Sequence, residues 1–153
     1  AVANFNLSKS TVGSEIDAKA RKYLQQIKLD YDHGTGHGVG YFLNVHEGPH
    51  GISKNNRITF KQGMIVSNEP GYYEKNKFGI RIENLIYVRK KKNKISFENL
   101  TMAPIDKSLI EKNLLDNNEL KWLNSYHKKV FSKLKKFMNK IEIEELKKAC
   151  SAI

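Results

Sequence analysis

The chain has 153 residues, 39% hydrophobic and 28% charged, with a formal net charge of +11. That composition excludes disordered and fibrous classes and gives enough chain for one compact domain or part of a larger one. No run approaches the roughly 18 apolar residues of a membrane span, the opening Ala1-Val2-Ala3-Asn4-Phe5 lacks the layout of a secretory signal, and Cys150, the only cysteine, has no partner for an intrachain disulfide.

A cytoplasmic protein is therefore expected. Because the chain opens without Met, directly on sequence that reads as helical, further chain is expected upstream. The positive charge lies late: residues 1–88 carry a net +3 and residues 89–153 a net +8, whereas four of the five histidines fall between positions 33 and 50. A lysine-rich tail of this kind is most simply a solvated helix face, so neither nucleic acid nor membrane is the expected partner.

In chain order, Leu7 to Ile27 carries apolar residues at Ile16, Ala20, Tyr23, Leu24 and Ile27, the spacing of an amphipathic helix, with Ser14 as cap and Asp17 three residues on. From Gly40 the pattern becomes short β-rich runs, and strands are expected over Tyr41 to Val45, Met64 to Ser67, Gly79 to Val88 and Ile95 to Leu100. On the third of these, Ile80, Ile82, Leu85 and Val88 would face a core while Arg81 and Glu83 project to the opposite side. Glycine and proline end at Gly79 and Pro104, and beyond them helices are expected over Asp106 to Leu115, Glu119 to Met138 and Ile143 to Cys150. The division drawn from composition is residues 1–105, an α+β part, and 106–153, a helical C-terminal extension packed on it.

Chemistry concentrates in three places. His33-Gly34-Thr35-Gly36-His37-Gly38-Val39-Gly40 has two histidines four apart, but alternate glycines cost about 1 kcal/mol each inside a helix and the zincin glutamate is absent. A loop or strand presenting imidazoles to a site is the better reading. Glu69 follows an apolar strand in Ser67-Asn68-Glu69-Pro70-Gly71-Tyr72-Tyr73, and Glu83 follows isoleucine in Gly79-Ile80-Arg81-Ile82-Glu83. Carboxylates in apolar surroundings need a cation or hydrogen bonds, so either a metal or an ion pair of Arg81 with Glu69 or Glu83 satisfies this pattern. Imidazole with carboxylates and no thiolate suits manganese, cobalt or zinc.

The run HGTGHGVGYFLNVHEGPHG, then SNEPGYY and FGIRIENL, with VGSEIDAKARKYL before them and WLNSYH after, closely resembles the aminopeptidase P (Xaa-Pro aminopeptidase) branch of the pita-bread metallopeptidases over nearly the whole chain. The resemblance implies an α+β fold, the second half of a pita-bread (creatinase/aminopeptidase-like) domain, in which a curved antiparallel sheet is flanked by helices and followed by a helical C-terminal extension. It implies a metal-dependent hydrolase that removes the N-terminal residue from Xaa-Pro peptides with two divalent ions, foremost Mn, with Co or Zn as alternatives. His37, Glu69 and Glu83 map onto metal ligands, with Glu83 bridging. The catalytic roles fall to His46 as proton shuttle, His33 in the substrate pocket, Arg81 holding the ligand carboxylates and Tyr73 bordering the site; His50 receives no role.

Two further aspartate ligands of the family pattern have no counterpart, since Asp17, Asp30 and Asp32 do not sit in matching motifs. The chain alone is accordingly expected to bind metal poorly and to be inactive. The partners implied are peptides with proline second, the upstream half of the catalytic domain, and a second copy in a dimer of the full protein. The alternative function is a non-catalytic pita-bread module that binds peptide or nucleic acid through the basic C-terminal helices.

Overall fold

A computed structural model describes residues 1–42 and 44–153, and these form two compact units, Ala1–Thr101 and Met102–Ile153. In the first unit, helix α1 (Gly13–Gln26) precedes seven short strands: β1 (Gly36–His37), β2 (Gly51–Ile52), β3 (Ile65–Asn68), β4 (Gly71–Glu74), β5 (Phe78–Arg81), β6 (Asn84–Lys91) and β7 (Lys94–Asn99). All pairings are antiparallel. Strand β6 lies between β3 and β7, β1 pairs with β2, and β4 with β5, while a single bridge from Gly38 to Val66 ties the β1 segment to β3.

The core of this unit is Val2, Ile16, Ile52, Phe60, Val66, Ile86, Val88 and Phe97. Alternation explains which strand residues enter it: Asn84, Ile86 and Val88 are buried on one face of β6, and Val66 of β3 pairs directly with Ile86. Burial of this set is the main stabilising term of the unit, each fully buried aliphatic side chain contributing about 1.5 to 3 kcal/mol.

Several expectations need correction. Helix α1 starts at Gly13, not Leu7, because Leu7 is drawn into a bridge with Ile95; the N-cap is Val12, and Ser14 does not cap but accepts a hydrogen bond from Arg57 Nη1 at 2.8 Å. The expected strand over Tyr41 to Val45 is absent among the described residues, Leu43 lying outside them; Tyr41, Phe42 and Val45 are exposed. The run Gly79 to Val88 is two strands, since the chain leaves β5 after Arg81 and enters β6 at Asn84. That break changes which residues face the core: Ile80 and Ile82 are 41% and 48% exposed, Asn84 and Ile86 are buried in place of Leu85, and Val88 is buried as expected. The two ends of this run also answer to different partners, β5 to β4 and β6 to β3 and β7.

The second unit contains α2 (Asn117–Leu134) and α3 (Lys140–Ala149), with Tyr126, Val130 and Leu146 at its core and Met102, Ile105, Trp122, Phe131 and Leu134 around them. Both helices begin earlier than the apolar stripe indicates because each has a capping box. Asp116 with Glu119, and Asn139 with Glu142, exchange side-chain and backbone hydrogen bonds that fix the first turn. The helix expected over Asp106 to Leu115 is not formed; only a 3-10 turn, Lys112–Leu114, occurs there. Pro104 precedes the segment, Asp106 folds back to accept the Ser108 N–H at 2.8 Å, and Leu109 and Leu114 stay exposed, so the segment has no apolar face to bury.

His127 on α2 is fully buried and its Nε2 accepts the Ile105 N–H at 3.1 Å, which requires the neutral ring. Burial first, and the nearby Lys107 charge second, lower its pKa below the usual imidazole value. The folded state therefore takes up this proton later than the unfolded state. Stability is full above the unfolded-state pKa of about 6.5 and declines as pH falls through it. Urea unfolding at pH about 7.5 and about 5 is expected to show this loss, and His127→Gln, which holds no titratable group, is expected to reduce it.

Candidate metal centre

The site is assembled by backbone contact before any functional side chain is placed. A Cβ on Gly36 would lie 1.9 Å from the Ser67 carbonyl oxygen, so only glycine lets β1 approach β3 this closely. That approach brings three hydrogen bonds into register. Glu69 N–H donates to the Thr35 carbonyl at 2.8 Å, His37 N–H donates to Ser67 Oγ at 2.9 Å, and Ser67 Oγ donates to Glu69 Oε1 at 2.8 Å.

Position and tautomer of His37 follow from the same contacts. Its Nδ1 lies 2.9 Å from the Gly38 carbonyl, which makes Nδ1 the protonated nitrogen and turns the Nε2 lone pair toward Glu69 Oε1 at 3.3 Å. His37, Glu69 and Glu83 each offer a ligand atom, and all three atoms lie within 4.8 Å of one another. Glu69 is buried, His37 half-buried and Glu83 exposed. Three electron-pair donors facing one point repel unless a cation stands among them, and the neutral imidazole with two carboxylates is a donor set that fits a divalent ion.

Around this group lies a second set. Arg81 Nη1 is 3.7 Å from Glu69 Oε2, and its Nε donates to Tyr73 Oη at 2.7 Å. The hydrogen bond to Tyr73, helped by the Glu69 and Glu83 charges and opposed by desolvation, raises the guanidinium pKa further above its ordinary value. Tyr73 Oη also lies 2.9 Å from His33 Nε2, and His33 Nδ1 lies 2.7 Å from the Gly34 carbonyl. With Nδ1 as donor, His33 Nε2 accepts from the Tyr73 hydroxyl. The His46 ring stands 3.9 Å, centroid to centroid, from that of His37. All seven side chains singled out from sequence thus fall in one neighbourhood, within the first unit. His50 stands behind it, its Nε2 donating to the Ile65 carbonyl at 2.7 Å.

A model of metallopeptidase family M24 matches residues 4–90, and one of the C-terminal region of peptidase M24 matches residues 93–153. The chain belongs to metallopeptidase family M24. Among curated relatives, a probable Xaa-Pro aminopeptidase P of Laccaria bicolor is 48% identical over 94% of this chain and 24% of its own length, and one of Tuber melanosporum is 50% identical over 86% and 23%. Among solved structures, the X-prolyl aminopeptidase of Caenorhabditis elegans, described as a cytosolic enzyme with a di-nuclear active site, matches with TM-score 0.89 and 38% identity over 99% of this chain and 26% of its own. The Xaa-Pro dipeptidase of Bacillus anthracis matches with TM-score 0.58 and 31% identity over 69% of this chain and 28% of its own. This M24 chain therefore has the pita-bread fold of its neighbours, and it spans about a quarter of the length of the relatives it matches. None of its helices, among the described residues, is long and apolar enough to cross a membrane.

Two supports of this cluster carry no direct sign of their role in the sequence. Ser67, within the run Ser67-Asn68-Glu69, bridges His37 to Glu69. Asp17, which the sequence offers as the partner of a cap and not as a metal ligand, is buried and accepts from Thr35 Oγ1 at 2.6 Å and from Arg21 Nε at 2.8 Å. The available signal was the Asp17 and Arg21 pair, one helical turn apart and flanked by Ile16 and Ala20.

Proposed function

We propose that this chain carries part of the catalytic site of a metal-dependent aminopeptidase acting on Xaa-Pro peptides, with His37, Glu69 and Glu83 as ligands. The observation that carries the reading is the convergence of one imidazole nitrogen and two carboxylates within 4.8 Å, with Glu83 exposed beside the buried Glu69. When bound, divalent ions supply Lewis acidity and a water acidic enough to ionise near neutral pH.

The chain's own groups divide the remaining work. Ser67 and the Gly38 carbonyl hold Glu69 and His37 in place, and Arg81 offsets the carboxylate charge through Glu69 Oε2. His46, beside His37, is placed to carry a proton between the scissile group and solvent. His33, held by Tyr73, borders the pocket for the proline ring, a residue that lacks the N–H a general peptidase would anchor. The two aspartates of the family pattern are supplied from outside these 153 residues. Asp17 and Asp30 are not substitutes, because both are engaged by Arg21.

Titration of the chain with Mn2+ is expected to show weak binding that His37→Ala and Glu83→Gln each reduce at least about tenfold. No turnover of an Xaa-Pro peptide is expected from the chain alone, and turnover is expected when a polypeptide bearing the two aspartates is joined to it. Equal Mn2+ affinity in wild type and both variants would overturn the ligand assignment.

A further inference from the structure

Arg21 is the most heavily engaged charged side chain of the first unit that no step of the proposed reaction uses. It is 3% exposed on α1, and its guanidinium reaches four groups on three sides: Asp17 Oδ2 at 2.8 Å, Asp30 Oδ1 at 2.6 Å, the Tyr31 carbonyl at 2.6 Å and the His33 carbonyl at 2.6 Å. It also lies 4.0 Å over the Tyr31 ring. Burial works against its charge, but the hydrogen bonds with Asp17 and Asp30 outweigh that and raise its pKa. The same bond from Arg21, with the Tyr31 N–H, outweighs burial at Asp30 and holds that carboxyl well below the usual range.

What these contacts surround is the segment that presents both site histidines. Asp17 accepts from Thr35 Oγ1 at 2.6 Å, and the Tyr31 hydroxyl also bonds to Thr35 Oγ1. The Thr35 carbonyl in turn receives the Glu69 N–H. Between Tyr31 and Thr35, then, the backbone at 31 and 33 is gripped by Arg21 and the side chains at 31 and 35 are tied to Asp17 directly or through each other. Fixing a short chain on both sides of His33, with Thr35 one residue before Gly36 and two before His37, leaves those imidazoles little freedom.

We infer that Arg21 is a positioning residue of the site: through Asp17 and Thr35 it sets the register of residues 33–37, and so the ring orientation of His33 and His37 and the seat of Glu69. The inference rests on the metal-site reading for its consequence, though not for its geometry. A lysine keeps the charge but cannot reach carbonyls at 31 and 33 and carboxylates at 17 and 30 together, because that takes the planar fork of a guanidinium. Neutralisation alone is thus not the role.

The test compares wild type, Arg21→Lys, Thr35→Val and the exposed control Arg57→Lys. Nitrogen-detected NMR of the metal-free chain reads the imidazole tautomers, and titration with Co2+ reads affinity, with circular dichroism confirming that each variant is folded. Wild type and Arg57→Lys are expected to hold His33 and His37 in the Nδ1–H tautomer. Arg21→Lys and Thr35→Val, where folded, are expected to give tautomer-averaged signals and Co2+ affinity about 10- to 100-fold weaker, the usual effect of removing an outer support. Should Arg21→Lys prove unfolded, Thr35→Val, which removes one hydroxyl at nearly constant volume, decides alone. Folded variants with wild-type tautomers would overturn the inference even if they melt at lower temperature. Absence of Co2+ binding by the wild type would count against the metal reading instead, leaving the imidazole signals to judge Arg21.

Discussion

Asp17→Ala is expected to destabilise the first unit by about 3 to 5 kcal/mol, the usual loss when one member of a buried ion pair is removed. Asp17 is 1% exposed and holds two partners, Arg21 Nε and Thr35 Oγ1, both also buried. The substitution leaves a desolvated guanidinium with fewer acceptors and the Thr35 hydroxyl with only the Tyr31 hydroxyl as partner, and the penalty of those under-satisfied groups exceeds the worth of the pair itself. Asp17→Asn keeps the shape and one acceptor and should lose less. Urea unfolding followed by circular dichroism measures both. A loss for alanine below about 1 kcal/mol, the size expected of an exposed pair, would mean that water reaches the network.

Gly36→Ala is expected to cost about 3 kcal/mol, at the upper end of what overpacking does, and to remove metal binding with it. The obstacle is backbone, since the added carbon would sit 1.9 Å from the Ser67 carbonyl oxygen and 2.9 Å from its carbon, so no rotamer change relieves it. Separation of β1 from β3 breaks the bonds of Glu69 to Thr35 and of His37 to Ser67 together. Gly48→Ala, where nothing lies within 4 Å, is the control and should stay within about 0.5 kcal/mol of wild type. Equal stability of the two variants would show that the strands can part without cost.

The grouping of positions 37, 69 and 83 was legible through the family resemblance of the motifs around them, since the residue types alone fit a metal or an ion pair with Arg81 equally well. Glycines flank the histidines, and each carboxylate follows an apolar run, so the residue types announce a site, though not which of the two, even before the strands that carry them are known. The fold was legible where periodicity matched burial, as on β3, β7 and α2. Elsewhere the decisive partner was distant. No local pattern shows that Ile82 and Glu83 leave the sheet, because that depends on β5 pairing with β4 rather than continuing into β6. The Asp17 and Arg21 pair reads as a surface i,i+4 ion pair, and only the arrival of residues 30–35 against α1 makes it interior. Position 14 failed as a cap because its hydroxyl was claimed by Arg57, 43 residues away.

Among the described residues, strands β4 and β5 pair only with each other, four residues to a side, whereas β3 belongs to the three-stranded sheet. A lone two-stranded ribbon has little stability of its own in water. Glu69 follows directly on the anchored strand β3, with His37 tied to it through Ser67, whereas Tyr73 and Arg81 stand on a ribbon whose tip turns through Asn76 at a left-handed φ of 62°. The tyrosine and the arginine share this ribbon and are joined by a hydrogen bond, so a substitution that loosens it displaces both side chains together.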